Sequence, residues 1–318
     1  MFATAPSMRR PAPPAHPPLG RLRALVAMVR PTQLALIVAI AGNGLLLALW
    51  RSPRASEELG AAALALALLL IAAMAVHLAN EAADDETDHL SRRTPFSGGS
   101  GALAASDMGP RVPLAISLSM AAIVTLAAAA STIAGLLSPL AGVLLWLGLA
   151  GGMAYSLPPV EAMRRGWGEP LNAVLGGLLL PLFMLSAQAG TVTVVDVLAF
   201  APFLLVVFAS VMATAWPDRA ADAATGKATM QVRLTPTTLR RIHALAAAGF
   251  VAATFVVAAA AAMPLALAGL LVTPLLVIGT AGYTRTESPL ANVGAMVGLA
   301  LITTVTLSIG LWTRTGSL

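Results

Sequence analysis

The 318-residue chain contains no cysteine. Disulfides, thiolate nucleophiles, cysteine-ligated zinc and iron–sulfur clusters are therefore excluded. Charge is scarce as well: only 10% of residues are Asp, Glu, Lys or Arg, where a soluble globular domain carries about 25%. That scarcity excludes a cytosolic enzyme with a polar surface. Aromatic residues are few, with five Trp, two Tyr and eight Phe. No basic patch interleaved with aromatics exists, so the net charge of +5 and the pI of about 10.9 do not point to nucleic acid.

What is present is apolar. Hydrophobic residues make up 58% of the chain and the mean hydropathy is +0.84, which rules out disorder. Ala, Leu and Val dominate, as in membrane bundles packed through small residues. A bilayer-spanning helix needs about 20 apolar residues. Runs near that length lie at 31–50, 59–80, 112–135, 137–157, 170–189, 193–216, 238–262, 264–283 and 289–312. They predict an all-α polytopic membrane protein of nine helices. Residues 1–20 are Pro-rich and lack the apolar core of a signal peptide. They are expected to form a disordered cytoplasmic tail, leaving 21–318 as one membrane domain. Residues 21–30 read as a short basic amphipathic helix lying on an anionic lipid surface.

The nine-helix count is supported by charge. With the N-terminus in the cytoplasm, only Arg51, Arg54 and Arg314 fall outside; the other sixteen of nineteen Lys and Arg residues fall inside. That asymmetry is the positive-inside signature. Fusing runs three and four, or seven and eight, would reverse everything downstream and destroy it. The acids sort the same way, although no orientation rule governs them. Seven inside acids lie in two clusters, each directly after an apolar run.

The first cluster spans Asn80 to Asp88, with Asn80, Asp84 and Asp88 spaced i, i+4, i+8. On a helix this puts three oxygen-bearing side chains on one face. Like charges at that spacing repel, so the arrangement is costly without a cation, and such oxygens suit Mg2+. In the absence of metal, removing one carboxylate is expected to leave stability unchanged or higher. The second cluster is Asp218 and Asp222, followed by Gly226, Lys227 and Thr229. Together Asn80, Asp84, Asp88, Asp218 and Asp222 form a candidate set for two or three Mg2+ against one diphosphate. Lys227, Arg233 and Arg93 are candidates for covering its remaining charge.

These motifs resemble those of the UbiA-type membrane prenyltransferase family. The family's first motif reads N-D-x-x-D-x-x-x-D and its second D-x-x-x-D. Here they stand as Asn80-x-x-x-Asp84-x-x-x-Asp88 and Asp218-x-x-x-Asp222, with Glu81 where Asp is usual. Arg30-Pro31-Thr32 and Gly226-Lys227-x-Thr229 resemble further family pieces. So do Tyr155-Ser-Leu-Pro-Pro and Arg164-Arg165-Gly166-Trp-Gly168-Glu169, which are similar to the loop after helix four in quinone-forming members. The resemblance covers residues 22–312. It implies nine helices around a central cavity, Mg2+-dependent ionisation of a prenyl diphosphate and transfer of the prenyl group to an acceptor.

The loop Ser97-Gly98-Gly99-Ser100-Gly101 directly follows the first motif. Its backbone N–H groups can approach a phosphate closely, as a lid, or the loop is a plain connector. It looks similar to the Gly-rich segment of 1,4-dihydroxy-2-naphthoate prenyltransferase-like members, which implies an aromatic quinone-precursor acceptor and menaquinone chemistry. Arg164 and Arg165 are further substrate-binding candidates.

Other residues have two readings each. His77 places an acceptor hydroxyl, or bonds a neighbouring helix. Tyr155 faces an allylic cation, or belongs to an interfacial aromatic belt. Asn43 and Asn172 touch substrate, or join helices inside the bundle. Asp85 and Glu86 are candidates for the base that removes a ring proton.

The expected reaction is an electrophilic alkylation in a water-poor cavity, in an integral protein of a prokaryotic inner membrane with its site facing the cytoplasm. Two alternatives keep part of this pattern. A membrane terpene cyclase of the same family would attack the cation with its own alkene. An ion or phosphate transporter would use paired acids, but near the midplane and on broken helices.

Overall fold

In a computed structural model, residues 19–52, 59–259 and 263–315 are described. The proposed tail, with Arg9, Arg10 and His16, lies outside them apart from its last two residues, as does Arg54. Leu19 N–H donates to the Ala105 carbonyl at 2.8 Å, so the folded body begins by residue 19. No strand is present among the described residues; one isolated bridge joins Leu19 to Ser106.

The helices are α1 (Arg21–Met28), α2 (Pro31–Arg51), α3 (Gly60–Ala83), α4 (Asp85–Leu90), α5 (Arg111–Ile133), α6 (Pro139–Ser156), α7 (Gly168–Val174), α8 (Leu180–Ala189), α9 (Val194–Ala199), α10 (Ala201–Ala215), α11 (Arg219–Ala224), α12 (Met230–Arg233), α13 (Pro236–Ala259), α14 (Met263–Gly282) and α15 (Leu290–Thr315). A π-helical turn, Leu175–Leu179, joins α7 to α8. Among the described residues, nine helical segments are long and apolar enough to cross a membrane.

Local chemistry explains the breaks. Pro31, Pro139 and Pro202 sit at first-turn positions, where the missing N–H has no intrahelical partner to lose. Ser138 caps α6 by accepting the Ala141 N–H at 3.1 Å, worth about 1 kcal/mol. Gly190 ends α8 in the left-handed region. Thr193 and Asp196 open α9 with a reciprocal capping box. Asp196 also binds Arg51 at 2.7 Å, tying the ends of α2 and α9 on the side opposite the acid clusters. Arg30 has φ 54° and ψ 71°, which breaks the chain between α1 and α2. Ala24 and Met28 of α1 pack against Leu78 of α3 and against Ala102, Leu103 and Met108. Leu22 and Val26 stay exposed.

Two apolar cores sit side by side. One unites α2, α3, α5, α6 and α8; the other unites α2, α8, α10, α13, α14 and α15. Close backbone contact replaces bulky packing where they meet. A Cβ on Gly44 would lie 1.9 Å from the Pro181 carbonyl oxygen, and one on Gly177 would lie 2.6 Å from the Leu204 Cα. Such contacts are what small residues allow in lipid, where the hydrophobic effect between helices is absent. The outward surface carries side chains such as Leu126, Ile133 and Leu245, each at least 71% exposed. Because the crossings alternate, the ends of α3, α6 and α10 and the starts of α5 and α7 share one side. Both acid clusters and the Gly-rich loop are therefore brought to one end of the bundle.

Candidate active site

At that end opens a cavity of about 1080 Å³, above the 300–1,000 Å³ usual for small-molecule sites. Asp84, Asp88, Asp218, Asp222, Lys227 and Arg93 ring its mouth, while Leu69, Leu149, Phe183 and Met296 line its shaft. From Asp84 to Leu69 the wall follows α3 for about 22 Å at 1.5 Å per residue. The cavity is thus charged at the mouth and apolar below it.

Lys227 holds the two clusters together. Its Nζ lies 2.7 Å from Asp84 Oδ1 and 3.8 Å from Asp222 Oδ1, and its side chain is only 3% exposed. Thr229 Oγ1 donates to Asp222 Oδ2 at 3.3 Å. Thr87 and Thr225 join the segments through their hydroxyls at 3.1 Å. Asn80 Nδ2 donates to Asp84 Oδ2 at 2.8 Å, and its Oδ1 accepts from Arg30 at 3.2 Å. Glu81 does not face the carboxylates: it is buried against the Arg30 guanidinium and receives the Ser100 N–H at 2.9 Å and hydroxyl at 2.6 Å. The sequence showed this residue only as a departure from a motif. Its fold role comes from Arg30, fifty-one residues away.

The Gly-rich loop lies across both clusters. Gly98 N–H donates to Asp218 Oδ2 at 3.2 Å. Gly99 has φ +63°, and a Cβ there would meet Asp88 Oδ2 at 1.8 Å, so only glycine fits. Ser97 lines the cavity with its hydroxyl 2.8 Å from that of Thr94. Two of the loop's N–H groups are thus engaged by Asp218 and Glu81, as a strap over the acids.

Burial and crowding raise three of the carboxylates above their ordinary range. Asp88 is pushed up to about 7, by burial first and then by the charges of Asp84 and Glu81. Asp222 is pushed up to about 6 by burial, with Asp218 and Asp84 adding and Lys227 opposing. Burial also raises Asp218, against the Gly98 N–H that favours its charge. Asp218 Oδ1 is buried without a hydrogen-bond partner. Such a set of oxygens, short of positive charge and with one orphaned atom, fits a hard cation in donor chemistry. Among the described residues, no three acid or imidazole groups stand close enough to hold one ion, and the ammonium of Lys227 lies between Asp84 and Asp222.

The remaining candidates divide. His77 lines the cavity, and its Nδ1 is 2.7 Å from the Val29 carbonyl at the α1–α2 break. Tyr155 and Asn172 also line it. Asn43 does not. It is fully buried, donates to the Ala300 carbonyl at 3.0 Å and accepts from Thr304 at 2.9 Å, so it joins α2 to α15. Arg165 donates outward to the Pro159 carbonyl at 2.7 Å. Arg233 donates to the Arg165 carbonyl at 3.1 Å. Neither lines the cavity, because each is spent bracing an exposed loop. Arg164 binds the Thr225 carbonyl at 2.8 Å and borders a separate small pocket behind Asp84. Asp85 faces His89 rather than the cavity, and Glu86 is exposed.

The model of the UbiA prenyltransferase family matches residues 35–310. The chain belongs to this family. Its members are prenyltransferases, and this chain is an integral membrane enzyme of that kind. Solved structures share the fold. A UbiA homolog from Archaeoglobus fulgidus bound to DMAPP and Mg2+ matches with TM-score 0.62 and 16% identity, over 90% of this chain and 98% of that one. The same homolog bound to GPP and Mg2+ gives TM-score 0.63 at the same identity and coverage. A structure of digeranylgeranylglyceryl phosphate synthase gives 0.61 and 11% identity, over 92% and 99%. A comparison with curated protein sequences finds no match.

Glu169 was missed as a site residue. It lines the cavity at 3% exposure, and the sequence showed it only as one residue of a loop.

Proposed function

We propose that this UbiA-family enzyme transfers a prenyl group from a prenyl diphosphate to an aromatic quinone precursor of the naphthoate type, at the cytoplasmic face of a prokaryotic inner membrane. The observation that carries the reading is the cavity itself: two acid clusters bridged by Lys227 at its mouth, above an apolar shaft. Asp84, Asp88, Asp218 and Asp222 would hold Mg2+, and the Archaeoglobus homolog is bound to Mg2+ together with DMAPP or GPP. Held by these carboxylates, the metal would supply charge neutralisation of the diphosphate leaving group.

The chain's own residues supply the rest. Lys227 and Arg93 meet diphosphate charge that grows as the carbon–oxygen bond lengthens. The strap of Gly98 and Gly99 covers the mouth and limits water. The shaft, lined by Leu69, Leu149 and Phe183, takes the prenyl tail and keeps water from the allylic cation. Tyr155 presents its ring from α6 at the junction of mouth and shaft, where a cation is stabilised by an aromatic face. The aromatic acceptor then meets the cation on the α7 side of the cavity, beside Asn172.

The test is mass spectrometry of lipids formed when membranes holding the protein receive mixed prenyl diphosphates, Mg2+ and aromatic acceptors. Prenylated naphthoate-type product is expected, with only slow hydrolysis when no acceptor is added. Cyclic hydrocarbon formed without acceptor would replace the transferase reading with the cyclase one.

A further inference from the structure

Five carboxylates line the cavity: Asp84, Asp88, Asp218, Asp222 and Glu169. Four belong to the two clusters and are engaged with Lys227, Asn80, Thr229 or the Gly-rich strap. Glu169 belongs to neither. It opens α7, and Asn172, Leu175, Gly176 and Leu179 continue its face down the cavity wall. Its Oε1 accepts the Met230 N–H at 3.1 Å. Its Oε2 is buried without a hydrogen-bond partner. Leaving a buried carboxylate oxygen unpaired is costly, so this oxygen, set just behind the cavity wall, calls for a donor that a small turn of the side chain would let it meet.

The donor is placed by its neighbours. Tyr155 packs beside this turn, since a Cβ on Gly168 would lie 3.2 Å from Tyr155 Cε2. Asn172, one turn on from Glu169, lines the same stretch of wall as Tyr155. This polar patch borders the acid clusters along the α6–α7 wall, where an acceptor hydroxyl entering the cavity would meet it. Asp85 and Glu86, the acids expected from sequence to act as base, do not line the cavity.

We infer that Glu169 is a catalytic base, its Oε2 taking the hydroxyl proton of a phenolic acceptor; this rests on the transferase reading above. As the O–H bond breaks, its electron pair moves into the ring. A ring carbon then forms the bond to the allylic carbon, whose bond to diphosphate breaks with the pair leaving on oxygen. The resulting dienone becomes aromatic again by losing its ring proton to the released diphosphate, or carbon dioxide if that carbon carries a carboxylate. Its oxygen regains the proton from Glu169, which is thereby reset. Positioned general bases contribute about 10²–10⁴-fold.

The experiment compares wild type, Glu169→Gln and Glu169→Asp in lipid membranes with Mg2+ and a prenyl diphosphate. Two reactions are read: slow acceptor-independent diphosphate release, and transfer to a series of phenols of increasing acidity. Glu169→Gln keeps an oxygen for the Met230 N–H. It is expected to leave diphosphate release within about threefold and to lower transfer to weakly acidic phenols by about 10²–10⁴-fold. The loss should shrink steadily as the phenol becomes acidic enough to ionise unaided. Glu169→Asp should recover part of the rate. A loss equal for every phenol, or one shared by diphosphate release, overturns the base role and leaves Glu169 a bracing residue. If wild type transfers to no phenol at all, the transferase reading fails instead, and the two failures are told apart.

Discussion

Replacing Asp84 and Asp218 one at a time should separate two carboxylates that repulsion alone treats as equivalent. Crowding predicts that either replacement leaves the metal-free protein as stable as before, or more so. The structure predicts otherwise for Asp84. That carboxylate is the near partner of Lys227, at 2.7 Å, with the ammonium 3% exposed. In Asp84→Asn the buried cation keeps only Asp222, at 3.8 Å. Removing one member of a buried pair costs about 3–5 kcal/mol. Relief of the repulsion that Asp84 exerts on Asp88 and Asp222 offsets part of this, so a loss of about 3 kcal/mol is expected. Asp218 has no ion-pair partner within 4 Å among the described residues, and one of its oxygens is an orphan. Asp218→Asn keeps an oxygen for the Gly98 N–H and removes a buried charge, so stability should hold or rise by about 1 kcal/mol. The two variants then differ by about 4 kcal/mol. At about 2 °C per kcal/mol, the low end for domains somewhat smaller than this chain, that is about 8 °C in Tm. The assay is thermal unfolding in one detergent with EDTA at neutral pH. Both variants should also lose turnover. Equal Tm values, or Asp218→Asn as the less stable protein, would refute the role of the Lys227–Asp84 pair in holding the metal-free site.

Three further outcomes are expected. Lys227→Ala should lower kcat by about 10²–10³-fold while weakening prenyl diphosphate binding far less, because it acts on charge that develops in the transition state; equal effects on rate and on binding measured by calorimetry would contradict this. Gly99→Ala places a Cβ 1.8 Å from Asp88 Oδ2 at φ +63° and should lower activity at least tenfold, whereas Gly109→Ala meets nothing within 4 Å and should be neutral in the same assay. Asp88 and Asp222 have folded values raised above the ordinary 3.8, to about 7 and about 6. The folded state therefore binds extra protons, and metal-free stability is greatest below about pH 4 and falls as pH rises toward 7; Tm measured across that range with EDTA should decline, and Mg2+ should flatten the decline.

The sequence by itself determined the number of membrane-spanning segments, their approximate ends and the common end of the bundle at which the acids gather. Those properties follow from run length, from Pro and Gly at the breaks, and from parity, all of which are local or additive along the chain. Pro31 and Ser138–Pro139 mark helix starts without reference to any neighbour. The i, i+4, i+8 spacing likewise put Asn80, Asp84 and Asp88 on one face before any packing was known. Rotation of each helix about its axis was not legible. In a soluble bundle the polar face points to water and reveals that rotation, but here lipid-facing and cavity-facing sides are both apolar. Asn43 and Asn172 are alike in sequence, yet one bonds α15 and the other lines the cavity. Arg233 and Lys227 both follow the second acid cluster, yet only Lys227 turns into the cavity, while Arg233 is held by the Arg165 carbonyl. Glu81 with Arg30, and Glu169 with Met230, meet across fifty-one and sixty-one residues. Contacts at that range are chosen by how the spanning helices pack, and only the tertiary structure decided them.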